Sequence, residues 1–337
     1  MEHPISPLAA LIREEIASGG PLPFRRFMDL ALYHPQYGYY RRARDPFGKS
    51  GDFYTAAQLQ PVFGILIAAA VRALWEELGR PADFAVVDLG AGRAEMAAAF
   101  SEWRYLPVDV SRNALPERFT GVVFANEFFD ALPVDAAVCR NGGFRQMLVG
   151  LEDGRFRWVE GGAVAPEAAE YIARYLAPCE EGCLVEINLE ALAWIERIAR
   201  SIERGCLLTI DYGYTRRERR RCPQGTLMSY RRHSALEDVL AEPGERDITA
   251  HVCFTALEEH GRRCGLAPVR FETLAQTLLQ TGQADEFAAA LAAESPAAEA
   301  RRRLQLKTLL FGMGETFRTL LQRKVERGED GSGGSGD

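Results

Sequence analysis

Short apolar runs recur between residues 84 and 213, each separated from the next by helical or turn-forming sequence. An apolar run of this length between turn signals is typical of a buried strand. One intervening stretch, residues 189–202, repeats its apolar positions with helical periodicity. Strands alternating with helices predict an α/β fold with a mostly parallel, Rossmann-like sheet. The predicted strands are FAVVDLG (84–90), RYLPVDV (104–110), GVVFAN (121–126), CLVEIN (183–188) and CLLTIDYG (206–213).

The pattern before this region is helical and irregular. Pro21 and Pro23 are expected to end a first helix, and residues 24–32 are expected to form a second. The loops that follow are rich in Tyr, Gly and Pro, as functional surface loops commonly are. We therefore expect residues 1–80 to form an N-terminal helical cap with active-site loops.

Residues 81–325 are expected to form the α/β domain, with β-hairpin and loop insertions near 136–160 and 214–250. Turn signals at Asn141-Gly142 and Asp153-Gly154 predict an antiparallel hairpin in the first insertion. The segment 284–325, with Ala-rich and Arg-rich faces, is expected to be helical. Residues 326–337 have no core-forming side chains and predict a flexible tail.

Composition narrows the class of protein. The chain has 337 residues, 47% of them hydrophobic and 26% charged, which is typical of a soluble globular protein. Its net charge of -7 argues against a nucleic-acid partner, which requires a basic face. The most apolar stretch, residues 63–74, is too short to span a bilayer and contains Arg72, so we expect a core helix and no membrane insertion. The basic run RRERRR (216–221) is interpreted as a solvated loop.

The seven cysteines are irregularly spaced and include no CxxC pair. His251, Cys253, His260 and Cys264 lie close in sequence but would not converge as a tetrahedral metal site on a helix. The interpretation is buried thiols in a reducing cytoplasm, without zinc or disulfides. With no targeting segment recognised, a cytoplasmic location is predicted.

A glycine loop lies between the first predicted strand and a predicted Ala-rich helix, and it carries the most specific local signal. Gly90 and Gly92 allow the backbone to turn tightly and approach a ligand after Asp88. Asp109 lies 21 residues beyond Asp88, at the end of the next strand, where a carboxylate can accept hydrogen bonds from both ribose hydroxyls of a nucleoside. The alternative is a tight turn followed by a surface acid.

Two cofactors fit such a loop. A dinucleotide site would normally continue as GxGxxG, but Glu95 occupies the last position and no third glycine follows. An acid at the strand end followed by GxG favours S-adenosyl-L-methionine over a nicotinamide dinucleotide.

A second polar group, NEFFD, follows the strand GVVFAN. Asn126, Glu127 and Asp130 are expected at the carboxyl edge of the sheet, where open parallel sheets bind ligands. Carboxylates there can orient a substrate nitrogen. Alternatively, the same residues form a helix N-cap with acids that complement the helix dipole.

Taken together, the motifs identify a family. The chain resembles the MidA-like methyltransferases, relatives of the mitochondrial complex I assembly methyltransferases, over about residues 24–282. The motifs that carry this resemblance are LYHPQYGYY, GDFYTAAQLQPVFG, VDLGAGRAEMA, NEFFDALP, IDYGY, GTLMSYRRH and DITAHVCF.

The resemblance implies a seven-stranded class I methyltransferase core with an N-terminal cap, and methylation of a protein arginine. Gly90 and Gly92 would line the methionine moiety and Asp109 would hold the ribose, with Asp88 and Asn126 beside the cofactor. It also implies that Asp52, Tyr54 and Thr55 lie near the cofactor. Glu127, with Asp130 or Asp52, would grip the acceptor guanidinium. Asp211 and Tyr212 would support the acceptor pocket.

The sequence departs from the family pattern at several positions. Ala94 replaces a further glycine, Cys253 replaces a common acid, and TAAQL replaces the usual TSPEI. The interval from the glycine loop to Asp109 is also short. These departures keep open an alternative, a weakly active or inactive methyltransferase-fold assembly or binding factor. The acceptor protein, the number of methyl groups and the oligomeric state are not specified by these motifs.

Overall fold

The computed structural model of the chain describes residues 6–41, 56–109, 114–176, 178–231, 234–236 and 238–325. Its helices are α1 (Pro7–Gly19), α2 (Phe24–Tyr33), α3 (Val62–Glu77), α4 (Pro166–Tyr171), α5 (Leu189–Ser201), α6 (Phe254–Arg263), α7 (Leu274–Gly282), α8 (Ala288–Leu291) and α9 (Pro296–Lys307). Its strands are β1 (Leu22–Pro23), β2 (Ala85–Leu89), β3 (Arg104–Val108), β4 (Phe119–Asn126), β5 (Asp135–Arg140), β6 (Gly143–Glu152), β7 (Arg155–Ala163), β8 (Leu184–Ile187), β9 (Ile202–Tyr214), β10 (Met228–Arg231), β11 (Ser234–Leu236), β12 (Asp247–Thr249), β13 (Val252–Cys253), β14 (Leu266–Thr273) and β15 (Phe317–Lys324).

A seven-stranded sheet forms the centre of the molecule, in the order β14-β15-β9-β4-β2-β3, with β13 paired to β9. β3, β2, β4 and β9 run parallel, and β15 lies antiparallel between β9 and β14. β2 is buried along its whole length because both faces of the sheet are covered. The predicted mostly parallel α/β fold is confirmed.

Each face of this sheet has its own apolar core. On one face, α3 and α7 pack against β2, β4 and β9. On the other face, α5 and α6 pack against the same strands. The predicted helices near 63–74 and 189–202 therefore supply one layer each. Among the described residues, no helix is long and apolar enough to cross a membrane.

A smaller antiparallel sheet contains β1, β6, β5 and β8, with β7 paired to β6. The predicted hairpin is confirmed: β5, β6 and β7 are joined by turns in which Asn141, Gly142, Asp153 and Gly154 all have positive φ. α1 and α2 pack against this sheet in a third apolar cluster, with residues 239–250.

Three local predictions were wrong. The strand CLVEIN pairs antiparallel with β5 in the smaller sheet and is not part of the parallel sheet. The segment 284–325 is not helical throughout, because residues 317–324 form β15 and are buried between two strands. The Ala-rich stretch after the glycine loop forms consecutive turns where a regular helix was expected.

The basic run 216–221 is also not fully solvated. Arg219 is 2% exposed, and its guanidinium donates to the carbonyls of Cys222 and Leu184. Its Nη2 lies 3.3 Å from Cys183 Sγ. Arg219 thereby ties this loop to the start of β8, a role that a charge pattern alone does not reveal.

Candidate active site

A cavity of about 1620 Å³ opens at the carboxyl ends of β2, β3, β4 and β9. It lies between these strand ends and the cap helix α2. Most predicted site residues line it: Asp88, Gly90, Gly92, Asp109, Asn126, Glu127, Asp130 and Tyr212. Asp52, Tyr54 and Thr55 lie outside the described residues.

The glycine loop brings backbone to one wall of the cavity. Gly90 has φ 68°, Gly92 has φ 49° and Ala94 has φ 61°, all in the left-handed region. A Cβ atom on Gly90 would lie 3.1 Å from Phe128 Cδ2, which is too close without displacing the ring. Glycine is required there because the loop turns sharply beneath Phe128.

Asp88 is 4% exposed at the end of β2. The hydroxyl of Tyr105 on β3 donates a 2.6 Å hydrogen bond to Asp88 Oδ2. Burial raises the pKa of Asp88 to about 7, although the Tyr105 hydrogen bond opposes that rise. The carboxyl group can therefore gain or lose a proton near neutral pH as a ligand arrives.

Asn126 ends β4 and lines the same cavity. Its Nδ2 donates to Glu127 Oε1 at 3.0 Å. Its Oδ1 is buried and has no hydrogen-bond partner among the described residues. An unpaired buried acceptor is costly unless a ligand donates to it. A ligand with a cationic or hydroxyl donor fits beside Asn126 Oδ1. A ligand with ribose hydroxyls fits beside Asp109, which lines the same cavity.

Glu127 sits at φ 50°, an unusual backbone conformation for a residue that is not glycine. Its Oε1 accepts hydrogen bonds from the Ala56 N–H and from Asn126, both at 3.0 Å. Burial raises the pKa of Glu127 to about 8. Burial, and then the nearby carboxylate of Asp211, raises the pKa of Asp130 well above its ordinary range. The two carboxyl groups line the same cavity, where burial disfavours their charged forms.

Asp211, predicted to support the acceptor pocket, lies beneath the NEFFD loop. It is fully buried and does not line the cavity. Its Oδ2 accepts from the backbone N–H groups of Phe129 and Asp130, at 3.0 and 3.3 Å. Burial raises its pKa to about 7. The observed contacts hold the NEFFD loop from beneath.

Sequence reasoning missed several residues of the cavity. Tyr33, Tyr40 and Asp247 line it. They belong to LYHPQYGYY and DITAHVCF, two motifs that were recognised without any residue being selected from them. The available signal was their membership of motifs that carry the family resemblance.

Helix α5 contributes a further wall that no motif indicated. Trp194 lines the cavity, and its ring meets that of Phe128 edge-on with the ring centroids 5.0 Å apart. The Arg197 guanidinium lies over the Trp194 ring, 3.8 Å from the ring centre. Glu190 pairs with Arg197 at 2.8 Å and with Arg25 of α2 at 3.1 Å. The mouth of the cavity is thus bridged by an ion pair between the cap and α5.

No cluster of three or more His, Cys, Asp or Glu side chains in the described part of the chain has the geometry to hold a metal ion. All seven cysteines are free thiols.

Comparisons with known proteins agree on one family. A family profile described as S-adenosyl-L-methionine-dependent methyltransferase matches residues 100–272. Over 308 residues the chain is 30% identical to the mitochondrial protein arginine methyltransferase NDUFAF7 homolog of Drosophila melanogaster, covering 73% of this chain and 68% of the relative. It is 26% identical over 339 residues to mitochondrial protein arginine methyltransferase NDUFAF7 of Homo sapiens, covering 82% and 74%.

A solved structure gives the same result. A protein from Burkholderia thailandensis with bound S-adenosyl-homocysteine matches with a TM-score of 0.83 and 31% identity, covering 94% of this chain and 92% of that one.

The names of the two curated relatives contradict the predicted cytoplasmic location, because both are mitochondrial proteins. The prediction was wrong in its reasoning as well: reduced thiols indicate a reducing compartment and do not identify which one.

Proposed function

Because this chain belongs to the S-adenosyl-L-methionine-dependent methyltransferase family, we propose that it methylates an arginine side chain of a protein. Its cofactor is S-adenosyl-L-methionine, and the curated relatives are named as protein arginine methyltransferases. The observation that carries the choice of acceptor is the pocket of Glu127, Asp130 and Asp247, which gathers carboxyl groups beside the glycine loop.

A guanidinium suits this pocket because it is planar, always charged at physiological pH and rich in N–H donors. Carboxylates bind it through paired hydrogen bonds that also fix its orientation. Binding would neutralise part of the negative charge and stabilise the ionised forms of Glu127 and Asp130. An acceptor without positive charge would leave those carboxyl groups protonated or mutually repelling.

The residues around the glycine loop fit the cofactor. Asp109 would accept from the ribose hydroxyls, and the buried Asn126 Oδ1 would accept from a polar hydrogen of the cofactor. Gly90 and Gly92 let the backbone approach it closely. The bound cofactor supplies the electrophilic methyl group; the chain contributes orientation, exclusion of water and electrostatics.

The chain must also accept a proton from the guanidinium nitrogen. Glu127, whose pKa lies near 8, is a stronger base than an ordinary carboxylate. We assign Glu127 as the group that grips the guanidinium and takes this proton, with Asp130 as its neighbour. Asp130 is 5% exposed and the Asp211-held loop keeps it in place.

The test is transfer of labelled methyl groups from S-adenosyl-L-methionine to proteins of a lysate from cells lacking this protein, followed by analysis of methylated residues. Wild type is expected to produce methylarginine, and Glu127→Gln to reduce the rate by about a hundredfold or more. Glu127→Gln should keep its affinity for S-adenosyl-homocysteine, measured by calorimetry.

Glu167→Gln is the matched control, because Glu167 lies exposed in the first turn of α4. It should behave as wild type. Methylation of a residue other than arginine would overturn the acceptor assignment. Tight cofactor binding with no methyl transfer would instead support the assembly-factor alternative.

A further inference from the structure

Two tyrosines of the cap, Tyr33 and Tyr40, line the same cavity as the glycine loop. The rings of Tyr33 and Tyr40 stack with centroids 5.6 Å apart and an interplanar angle of 24°. The Tyr33 hydroxyl donates to the carbonyl of Ala131 at 2.8 Å. The pair is therefore fixed against the segment that follows NEFFD, and both rings keep part of their surface open to the cavity.

Tyr40 is joined to a carboxylate on a distant element. Its hydroxyl donates to Asp247 Oδ1 at 3.0 Å, across 207 residues of sequence. Asp247 begins β12, is 2% exposed and also accepts from the Ile248 N–H at 3.0 Å. Tyr40 of the cap therefore holds the carboxyl group of Asp247, which belongs to β12, in place.

We propose that the Tyr33–Tyr40 pair is an aromatic wall of the acceptor pocket that selects a planar guanidinium over a tetrahedral ammonium, and that Tyr40 positions Asp247 as a further acceptor-binding carboxylate. This inference rests on the proposed function and concerns how the same site chooses its substrate. Tyr40 is a positioning residue; Asp247 touches the acceptor.

The selection follows from shape. A guanidinium stacks flat on an aromatic surface while its edge donates to carboxylates. An ammonium is a compact, strongly hydrated point charge that gains less from stacking. Glu127 and Asp130 come from the strand side of the cavity, and the tyrosines and Asp247 come from the cap side and β12. A planar cation between them can use its faces and its edge together.

Separate variants test the ring and the hydroxyl. The proteins are saturated with S-adenosyl-homocysteine, and calorimetry measures the affinity for Nα-acetyl-L-arginine amide and for Nα-acetyl-L-lysine amide. Tyr33→Leu removes an aromatic face. Tyr40→Phe keeps the ring and removes only the hydroxyl that holds Asp247. Asp247→Asn removes the carboxylate charge, and Tyr37→Phe, on an exposed ring of the same segment, is the control.

Wild type should bind the arginine amide more tightly than the lysine amide. Tyr33→Leu should reduce that preference by about fivefold to tenfold, because the stacking contribution is lost. Tyr40→Phe should weaken both probes by about tenfold and preserve the preference. Asp247→Asn should weaken both at least as strongly, and Tyr37→Phe should match wild type. The affinity for S-adenosyl-homocysteine and the melting temperature identify any variant that fails to fold.

An unchanged preference in folded Tyr33→Leu would overturn the aromatic wall. Unchanged affinities in Tyr40→Phe would overturn the positioning of Asp247, whether or not Asp247→Asn folds. Failure of the proposed function is recognised separately: wild type would then form no methylarginine in the lysate assay. A wild type that forms methylarginine while the variants match it would contradict this inference alone.

Discussion

The backbone N–H of Ala56 donates a 3.0 Å hydrogen bond to Oε1 of Glu127, 71 residues further along the chain. Asn126 donates to the same oxygen. Within the described ranges, both hydrogen-bond donors to Glu127 contact Oε1. Oε2 is therefore the oxygen placed to meet the methyl-accepting substrate. The segment before α3 therefore orients the proposed catalytic carboxylate directly, and a shift in that segment would alter the acceptor site.

Methyl transfer should depend on pH through Glu127. Burial raises the pKa of this carboxyl group to about 8, so at lower pH most of the free enzyme carries it protonated and unable to grip a cation. With subsaturating acceptor, we expect the rate to rise between pH 6 and about 8 and then to level off. The arginine stays charged over this range and does not contribute.

Initial rates of label transfer at constant ionic strength measure this profile. In Glu127→Gln the residual rate should lose this rise, because the titrating group is gone. A wild-type rate that stays constant from pH 6 to 9 would show that Glu127 does not need to ionise.

Gly92→Val should abolish cofactor binding. The loop at Gly92 has φ 49° and lines the cavity, so a branched side chain both strains the backbone and occupies space that the cofactor needs. Calorimetric titration with S-adenosyl-homocysteine should detect no binding, while circular dichroism shows the native α/β content.

Gly79→Val separates the two effects. Gly79 also has a positive φ, of 80°, but a Cβ atom there would meet nothing within 4 Å. This variant should lose stability by a comparable amount and still bind the cofactor with wild-type affinity. Retained binding in Gly92→Val would place the cofactor elsewhere.

Ala94→Gly should stabilise the protein. Ala94 has φ 61°, and the left-handed conformation costs a residue with a Cβ atom about 1–2 kcal/mol. Glycine removes most of that cost, but it also increases the conformational entropy of the unfolded chain, which lowers stability. The free energy of unfolding should therefore increase by about 0.5–1 kcal/mol. Urea unfolding followed by fluorescence measures it. Ala98→Gly, in the same turn-rich stretch but without a positive φ, should destabilise instead. Equal losses in both variants would contradict the strain at Ala94.

The parallel core was predictable because its signals are local. The strand containing Asp88 is apolar throughout and ends in an acid and glycines, and α5 has clear helical periodicity. Apolar runs and hydrophobic periodicity do not reveal which sheet a strand joins. β8 reads like a core strand in the sequence, yet it pairs with β5 in the smaller sheet.

The site was predictable where the motif residues themselves line the cavity, as Glu127 and Asp109 do. It was not predictable where long-range contacts decide the role. Asp211 has the same residue type and strand-end position as Asp88, but the N–H groups of the NEFFD loop surround its carboxylate. The link between Tyr40 and Asp247 spans 207 residues, and no local pattern encodes it.

The position of β15 has a consequence for the order of events during synthesis. Residues 317–324 insert between β9 and β14, and their backbone completes the hydrogen bonding of both strands. β9 carries Asp211, which holds the NEFFD loop. While β15 is absent from the sheet, β9 lacks its antiparallel neighbour and the strand that supports the NEFFD loop is incomplete. Methylating activity is therefore expected only after residues 317–324 have joined the sheet.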